Sequence, residues 1–510
     1  MHMLKVSLFD QGPPPPCPAP FNMAAYVLSA GQKTPDKTAL EILSLDGVER
    51  WTYGDLTAAI MGVAGGLQAS GLSKGDRILL RIGNQIDFPI LFLASIAGGF
   101  VPIPTSTQLT EPEVRTLISD LNPALVVFGK DVPCLNTLTC SVIGPEDLKD
   151  LRNHPAGVLD FGDPNRLAYL VTTSGTSGKP RAVMHAHRAI WARRMMWGGW
   201  YGLSADDRLM HAGAFNWTYT LGTGLMDPWA IGATALIPDV SVAPIDLPAL
   251  INKGRATIFA AAPGIYRQIL KANHLPAMPT LRHGLSAGEK LSPAVRSNWE
   301  RSTGCNIHEA LGMSEVSTFI SSSPRQPSAD GASGKPQHGR RVAVLSPETF
   351  APVPIGQSGI LAVSRNDPGL MLGYYGADSM ANMTDEWFVT GDIVAMDSDA
   401  NVTYQGRADD MMNAGGYRVS PIEVETTLNT YPGIVESAAV SVEIKPDTFV
   451  IAAYYHSDID LDQNTLAAFC AERLARYKCP RLFLRVTALP KGANNKLQRA
   501  ALRKAFKVEE

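Results

Sequence analysis

The sequence predicts an α/β protein with a large N-terminal domain of parallel sheets covered by helices, carrying a barrel-like β piece, and then a small C-terminal α+β domain. Three observations predict it. Between about residue 38 and residue 273, strand-like apolar runs alternate with helical periodicity, the pattern of parallel strands under crossover helices. From about Ser333 to Tyr404 the chain turns richer in Gly, Pro and short alternating strands, which suggests an antiparallel or barrel-like piece. After Arg407, helices and strands alternate in a tail of about a hundred residues, an ordinary size for a separate domain.

Each element has a local cause. TALEIL (38–43), Asp46-Gly47 and ERWTY (49–53) read as a hairpin, because Asp-Gly suits a tight turn between alternating strands. DLTAAIMGVAGGLQASG (55–71) spaces its apolar residues as a helix does, with Gly71 as its stop. RILLRIG (77–83) reads as a buried strand, IDFPILFLASIAGG (86–99) as a helix and FVPIP (100–104) as a strand. Thr110 and Glu113 form a capping box that opens EVRTLISDL, and PALVVFG is the next strand. RATIFAAAP and GIYRQILKAN continue the strand–helix alternation. The later short strands are RVAVLS, GILAVS and NVTYQG. The tail reads as the helix PIEVETTLNTY, the strands ESAAVSVE and FVIAAYYH across a KPD turn, the helix LAAFCAERLARY and the strand RLFLRVT.

Composition limits the partners. The 510 residues carry 45 Lys+Arg against 48 Asp+Glu, a formal charge of −3, so no electrostatic case exists for nucleic acid or an acidic membrane. A small molecule is the expected partner. The uncharged stretch from Phe88 to Thr110 is interrupted by Pro89, Gly98, Gly99, Pro102 and Pro104, which favours a buried helix and strand over a membrane span. Six cysteines (17, 134, 140, 305, 470 and 479) show no metal-ligand spacing, as expected for ordinary thiols in a reducing cytoplasm. The N-terminus has too short an apolar stretch for a secretory signal, and Pro13 to Pro16 read as an extended arm. The protein is therefore expected to be soluble and cytoplasmic.

The strongest local signal is YLVTTSGTSGKPRAVMHAHRAI. A strand from Leu167 to Thr172 runs into Thr173-Ser174-Gly175-Thr176-Ser177-Gly178-Lys179, whose amides and hydroxyls suit a cradle for phosphate oxygens. It is not a Walker loop, since Pro180 follows Lys179. This loop resembles the TSGTTGxPKG signature of the acyl-adenylate-forming superfamily, which includes acyl-CoA synthetases, peptide-synthetase adenylation domains and luciferases. Gly312 to Glu315 (GMSE) resemble the family's GMTE, and Thr390 to Asp392 match its TGD. GRADDMMNAGGYRVSPIEVE from Gly406 resembles GRxDDxIKxxGxRVxPxEIE, and LPKGANNKLQR from Leu489 resembles LPKTxxGKIxR. The motifs occur in family order over essentially the whole chain. The opening PAPFNMAAYVL, LSAGEKLSPAV at Leu285 and ASGKPQHG at Ala332 are most similar to benzoate-type, other aryl or medium-chain acid–CoA ligases.

The resemblance implies a site and a reaction. A carboxylic acid, ATP and coenzyme A would give acyl-CoA, AMP and diphosphate through an acyl-AMP. Thr173 to Lys179 are expected to hold the β- and γ-phosphates, Ser314 the α-phosphate, and Glu315 a Mg²⁺ ion, a hard cation suited to carboxylate and phosphate oxygens. Gly288, Glu289 and Lys290, with Ala310, Leu311, Gly312 and Met313, are expected to frame the adenine; Leu311 stands where an aromatic residue often stacks on the base. Asp392 is expected to accept from the ribose hydroxyls and Arg407 to reach ribose or phosphate. Lys496 is the expected catalytic lysine, placing an ammonium where charge builds between incoming and leaving oxygens; Asn495 precedes it in place of the family's Gly. Asp409 is the expected hinge between a domain of residues 1–406 and a mobile one of 407–510. Gly415, Gly416 and Arg418 are expected to face coenzyme A, and Phe215, Trp217, Thr218 and Tyr219, with Gly222 nearby, to form the acyl pocket. Two rivals are a free-standing adenylation enzyme loading a carrier protein and a degenerate nucleotide-binding protein.

Overall fold

Six parallel strands form the spine of the N-terminal part. In sheet order they are Ile307–Met313, His283–Ala287, Ile258–Ala261, Arg208–Ala212, Thr234–Pro238 and Thr38–Leu43. Val48–Thr52 closes one edge of this nine-stranded sheet, and Ser317–Ser321 and Lys335–Pro336 the other, all antiparallel. The computed structural model describes residues 6–506 apart from 131, 136–137, 139, 174–180, 273, 378–381, 415–416, 446–447 and 493–496. Thr234–Pro238 and His283–Ala287 are buried along their whole length, because helices cover both faces of a parallel sheet and leave no polar side for alternation. A second parallel sheet runs Val101–Pro104, Arg77–Arg81, Leu125–Phe128 and Ser141–Ile143.

The local signals act as their chemistry requires. Thr38–Leu43 and Val48–Thr52 pair antiparallel across the Asp46-Gly47 turn. Thr110 donates its backbone N–H to Glu113 Oε2 at 2.7 Å, closing the capping box of the helix Glu111–Leu121. The helix Asp87–Gly98 is buried from Phe88 to its end, and Gly99 stops it at φ 89°. No described helix is long and apolar enough to cross a membrane. All six cysteines are free.

The glycine-rich segment forms an open antiparallel sheet of five strands rather than a closed barrel: Leu8–Phe9, Val342–Leu345, Ser358–Ser364, Trp387–Met396 and Val402–Arg407. Its first strand comes from the N-terminal arm. Beyond it, Trp191 Nε1 donates to the Pro15 carbonyl at 2.9 Å, fastening the proline run to the body.

The tail is a small α+β unit. Glu436–Lys445 and Thr448–His456 pair antiparallel, Leu482–Val486 adds in parallel, and the helices Pro421–Leu428, Gln463–Ala471 and Arg499–Ala505 accompany them. The middle helix starts earlier than LAAFCAERLARY suggests, because Asp462 caps it by accepting from Thr465 N at 2.8 Å. It also ends at Ala471, before Glu472-Arg473.

Candidate functional site

Parallel strands all end on one side, so the loops that leave their carboxyl ends collect there. Residues 213–219 leave Arg208–Ala212, Gly288 to Lys290 leave His283–Ala287, and Ser314-Glu315 leave Ile307–Met313. The expected acyl and adenine segments touch. Gly288 sits at φ +97°, and a Cβ there would lie 2.8 Å from Cζ2 of Trp217, so the indole packs on bare backbone.

The GMSE segment is a tight hairpin. Gly312 lies so close to the returning strand that a Cβ would meet the Ser317 carbonyl oxygen at 2.5 Å, and Ser317 takes up φ +72°. Glu315 is half-buried at its tip. The Tyr374 hydroxyl donates to Glu315 Oε1 at 2.8 Å, and Met371 N donates to the Glu315 carbonyl at 2.7 Å. Burial, then the Glu315 charge, pushes the Tyr374 phenol up to about 12, so it remains a donor. Tyr374 belongs to the strand Gly373–Tyr374, which pairs with Arg181–Ala186; that strand pairs in turn with Leu167–Thr173. Thr173 therefore ends one arm of a hairpin whose other arm pairs with the strand that holds Tyr374, the partner of Glu315. Ser174, Gly175, Thr176, Ser177, Gly178 and Lys179 lie outside the described residues. One carboxylate, with no cluster of three or more metal-ligating side chains among the described residues, suits Mg²⁺, which takes most of its remaining ligands from phosphates and water.

Asp392 and Arg407 face each other across paired strands. Arg407 Nη1 donates to the Thr390 carbonyl at 2.9 Å and to Asp392 Oδ1 at 3.2 Å. Gly391, between Thr390 and Asp392, sits at φ +79° with room for a Cβ only 3.1 Å from Arg407 Nη2. The Asp392 and Asp409 charges outweigh burial and raise the Arg407 pKa further, so the guanidinium stays charged. Asp409 is exposed, 3.5 Å from Arg407 Nε.

The remaining adenine-side residues divide. Ala310 is buried, Leu311 and Met313 are half-buried and Gly312 is exposed. Lys290 bonds to Glu309 Oε2 at 3.4 Å, the Gly331 carbonyl at 3.2 Å and Ser333 Oγ at 3.3 Å. Glu289 lies 4.0 Å from Arg267. Lys290 thus helps to hold the buried Glu309, which also takes Arg296 at 2.9 Å.

Of the four expected acyl-pocket residues, Thr218 lines a partly open cavity, together with Gly222, Ser314, Ser317, Tyr169, His185 and Arg193. Phe215 is 1% exposed and packs on Phe88 at 5.4 Å. Tyr219 is buried between Trp200 and His211 and donates to the Leu285 carbonyl at 3.3 Å. Arg193 and Asp227 form a buried ion pair in the cavity wall, with Nη2 to Oδ2 at 2.6 Å, and Tyr201 donates to the same oxygen at 2.7 Å. A Cβ on Gly222 would fall 2.2 Å from Arg193 Cζ, so glycine there lets the guanidinium pass. The neighbouring segments Trp197–Tyr201 and Thr220–Met226 are π-helical, a distortion common at functional sites and absent from any motif.

In the small domain Gly415, Gly416 and Lys496 lie outside the described residues, and Arg418 occupies the short strand Tyr417–Val419 paired with Met412–Ala414. Arg499, three residues beyond Lys496, makes a bidentate bond to the buried Glu425 at 2.9 and 2.7 Å and lies 3.4 Å from Asp410.

Comparison with known proteins agrees with this arrangement. A family model described as AMP-binding enzyme matches residues 28–375, and one described as AMP-binding enzyme C-terminal domain matches residues 423–496. A benzoate–CoA ligase of Thauera aromatica is 28% identical over 495 residues, covering 90% of this chain and 92% of its own. The mitochondrial acyl-coenzyme A synthetase ACSM3 of Homo sapiens is 28% identical over 532 residues, covering 96% and 90%. The crystal structure of the anthranilate CoA ligase AuaEII in complex with anthranoyl-AMP superposes with a TM-score of 0.86 at 25% identity, covering 96% of this chain and 98% of that one.

Proposed function

The chain belongs to the AMP-binding enzyme family, and on that premise we propose that it is an acid–CoA ligase acting through an acyl-adenylate. The observation that carries this reading is the convergence of Ser314, Glu315, Thr218 and the Thr173 hairpin at the carboxyl ends of the strands, with the Asp392–Arg407 pair nearby in sequence to the small domain. In the first half-reaction a carboxylate oxygen of the acid attacks the α-phosphorus of ATP, and the bond to diphosphate breaks. In the second, the coenzyme A sulfur attacks the acyl carbon and AMP leaves.

Thr173 to Lys179 hold the β- and γ-phosphates, Ser314 the α-phosphate and Asp392 the ribose hydroxyls. Glu315, oriented by Tyr374, would hold Mg²⁺, which supplies charge neutralisation on the phosphates when bound. Lys496 adds the ammonium of the first step. Residues 1–406 form the adenylate-forming part. Residues 407–510 turn at Asp409 between the two steps and bring Gly415, Gly416 and Arg418 toward coenzyme A. The acid is aromatic or of short to medium chain, in keeping with relatives named benzoate–CoA ligase and acyl-coenzyme A synthetase.

The test is a screen of aryl, alicyclic and C4–C10 acids, with palmitate, for acid-dependent diphosphate release and for thioester formation with coenzyme A. Benzoate-like or medium-chain acids are expected to give thioester and palmitate to fail. Diphosphate release without coenzyme A transfer, together with acylation of a carrier protein, would reassign the acceptor. No release with any acid would refute the enzyme.

A further inference from the structure

We propose that His185 reads a hydrogen-bonding group on the acid, so that the substrate is an aromatic acid with a neutral hydroxyl or amino substituent rather than an unsubstituted acid or a dicarboxylate. This rests on the ligase reading above. His185 lies on the strand Arg181–Ala186, is 3% exposed and borders the cavity that also holds Thr218, Gly222 and Ser314. Its ring stacks on Tyr169 at 4.8 Å and 16°, which covers one face and leaves the polar edge to be satisfied from elsewhere. Its partner among the described residues is the backbone of Ser314, which leaves one ring nitrogen without a hydrogen-bond partner. An imidazole always carries at least one N–H, and a buried donor or acceptor left unpaired is costly; a bound partner relieves that cost.

The rest of the cavity decides what kind of partner fits. Arg193, the cation in the wall, is already engaged. Its Nε donates to both Asp227 oxygens at 3.0 Å, Nη1 donates to Ser317 Oγ, and Nη2 donates to Asp227, Tyr201 and Thr223. The pair is neutral as a whole, so a second carboxylate would enter without a counter-charge. His185 is itself held neutral: burial outweighs its bond to the Ser314 backbone and, with the Arg188 and Arg193 charges, pushes it down to about 4. A neutral imidazole whose N–H turns to the Ser314 backbone offers its other nitrogen as an acceptor, which matches the O–H or N–H of a hydroxyl or an amine. A site built to bond such a group discriminates strongly against the analogue that lacks it, because the protein group is then left unpaired.

The experiment compares kcat/KM for thioester formation with benzoate, the three hydroxybenzoates, the three aminobenzoates and isophthalate, in the unmodified enzyme, His185→Gln and His185→Phe. The unmodified enzyme is expected to favour at least one substituted monoacid over benzoate by about 10-fold or more, the scale of one hydrogen bond lost in a buried site. His185→Phe should bring that ratio close to one by losing more of the substituted acid's turnover than of benzoate's. His185→Gln, which retains a donor and an acceptor, should keep part of the ratio. The proposal is overturned if benzoate is the best of these acids, if isophthalate is used as well as the best monoacid, or if the preference survives in His185→Phe. If His185→Phe does not fold, a preference that is undiminished in His185→Gln overturns it equally. Thioester from benzoate alone would leave the ligase reading intact and remove this one. No thioester from any acid would remove both.

Discussion

Replacing Asp227 by Asn tests whether the wall of the cavity lined by Thr218 and Arg193 depends on a buried charge pair. The Asp227 side chain is 1% exposed and that of Arg193 8%, and the carboxylate takes three guanidinium bonds as well as the Tyr201 hydroxyl. Asn keeps the shape but removes the charge, and its amide would point donors at the donors of Arg193. Removing one partner of a buried pair costs ~3–5 kcal/mol, because the other charge is left uncompensated. With an unfolding entropy of about 2.1 cal/mol/K per residue over a cooperative unit of about 400 residues, that lowers Tm by about 4–6 °C. Urea unfolding followed by tryptophan fluorescence is a direct assay, since Trp200 and Trp229 are fully buried. The midpoint should fall with little change in slope. The double variant Arg193→Met, Asp227→Leu should recover much of the loss, since no buried charge then remains. The reasoning is refuted if Asp227→Asn stays within about 1 kcal/mol of the unmodified protein, inside the spread of surface substitutions and their neighbours.

Three more predictions bear on the chemistry and on pH. Lys496→Ala should lose ~10²–10³-fold in acid-dependent diphosphate release yet still convert supplied acyl-AMP to thioester; an equal fall in both half-reactions would reject the role of Lys496. Asp409→Pro fixes φ near −65° and should spare adenylation while blocking thioester formation, so normal overall turnover would reject a rotation there. Burial pushes His187 and His211 down to about 3, and His283 and His308 to about 4. Below about pH 6.5 the unfolded chain binds protons that the folded chain does not, so stability is lost as pH falls from there toward the folded values, by up to about 1.4 kcal/mol per unit for each histidine. An unfolding midpoint that stays flat from pH 7 to pH 5 would contradict this.

The elements that sequence alone disclosed are those whose cause is local. Asp46-Gly47 makes its turn and Thr110 with Glu113 its cap within a few residues. Asp392 and Arg407 lie on adjacent strands of one hairpin, so the two motifs that carry them fall close together in sequence. What escaped depends on distance or on side. Tyr374 reaches Glu315 across 59 positions, through a two-residue strand with no periodicity to read. His185, Arg193 and Asp227 are brought together by packing, and each looks like an ordinary helix or strand residue in sequence. Phe215, Trp217 and Tyr219 belong to one aromatic run, yet packing buries Phe215 and Tyr219 and sets Trp217 against Gly288. A run leaving a strand does not say which of its members turn inward. The π-helical turns insert residues that a 3.6-residue period cannot register.

The surroundings of Asp409 explain why a rotation would concentrate at that residue. On its N-terminal side, Arg407 is bonded to Thr390 and Asp392, and Ala408 N donates to the Gly391 carbonyl at 2.8 Å, so both belong to the five-stranded sheet. On its C-terminal side, the Asp410 carboxylate takes Arg499 at 3.4 Å and Arg503 at 3.2 Å from the helix Arg499–Ala505, while its backbone N–H donates back to the Arg407 carbonyl at 3.1 Å. The Arg499–Glu425 pair ties that helix to Pro421–Leu428. Asp409 lies between the two sets of anchors, and its ion pair to Arg407, at 3.5 Å, is exposed and weak. A turn there would break contacts across the boundary, among them the Ser420 hydroxyl to the Gln405 carbonyl and the Asp410 and Met411 amides to the Arg407 carbonyl. Ser420→Ala should therefore ease the departure from the present arrangement, and in the half-reactions its effect should fall on adenylation before thioester formation. A loss confined to thioester formation would place the present arrangement on the other side of the cycle.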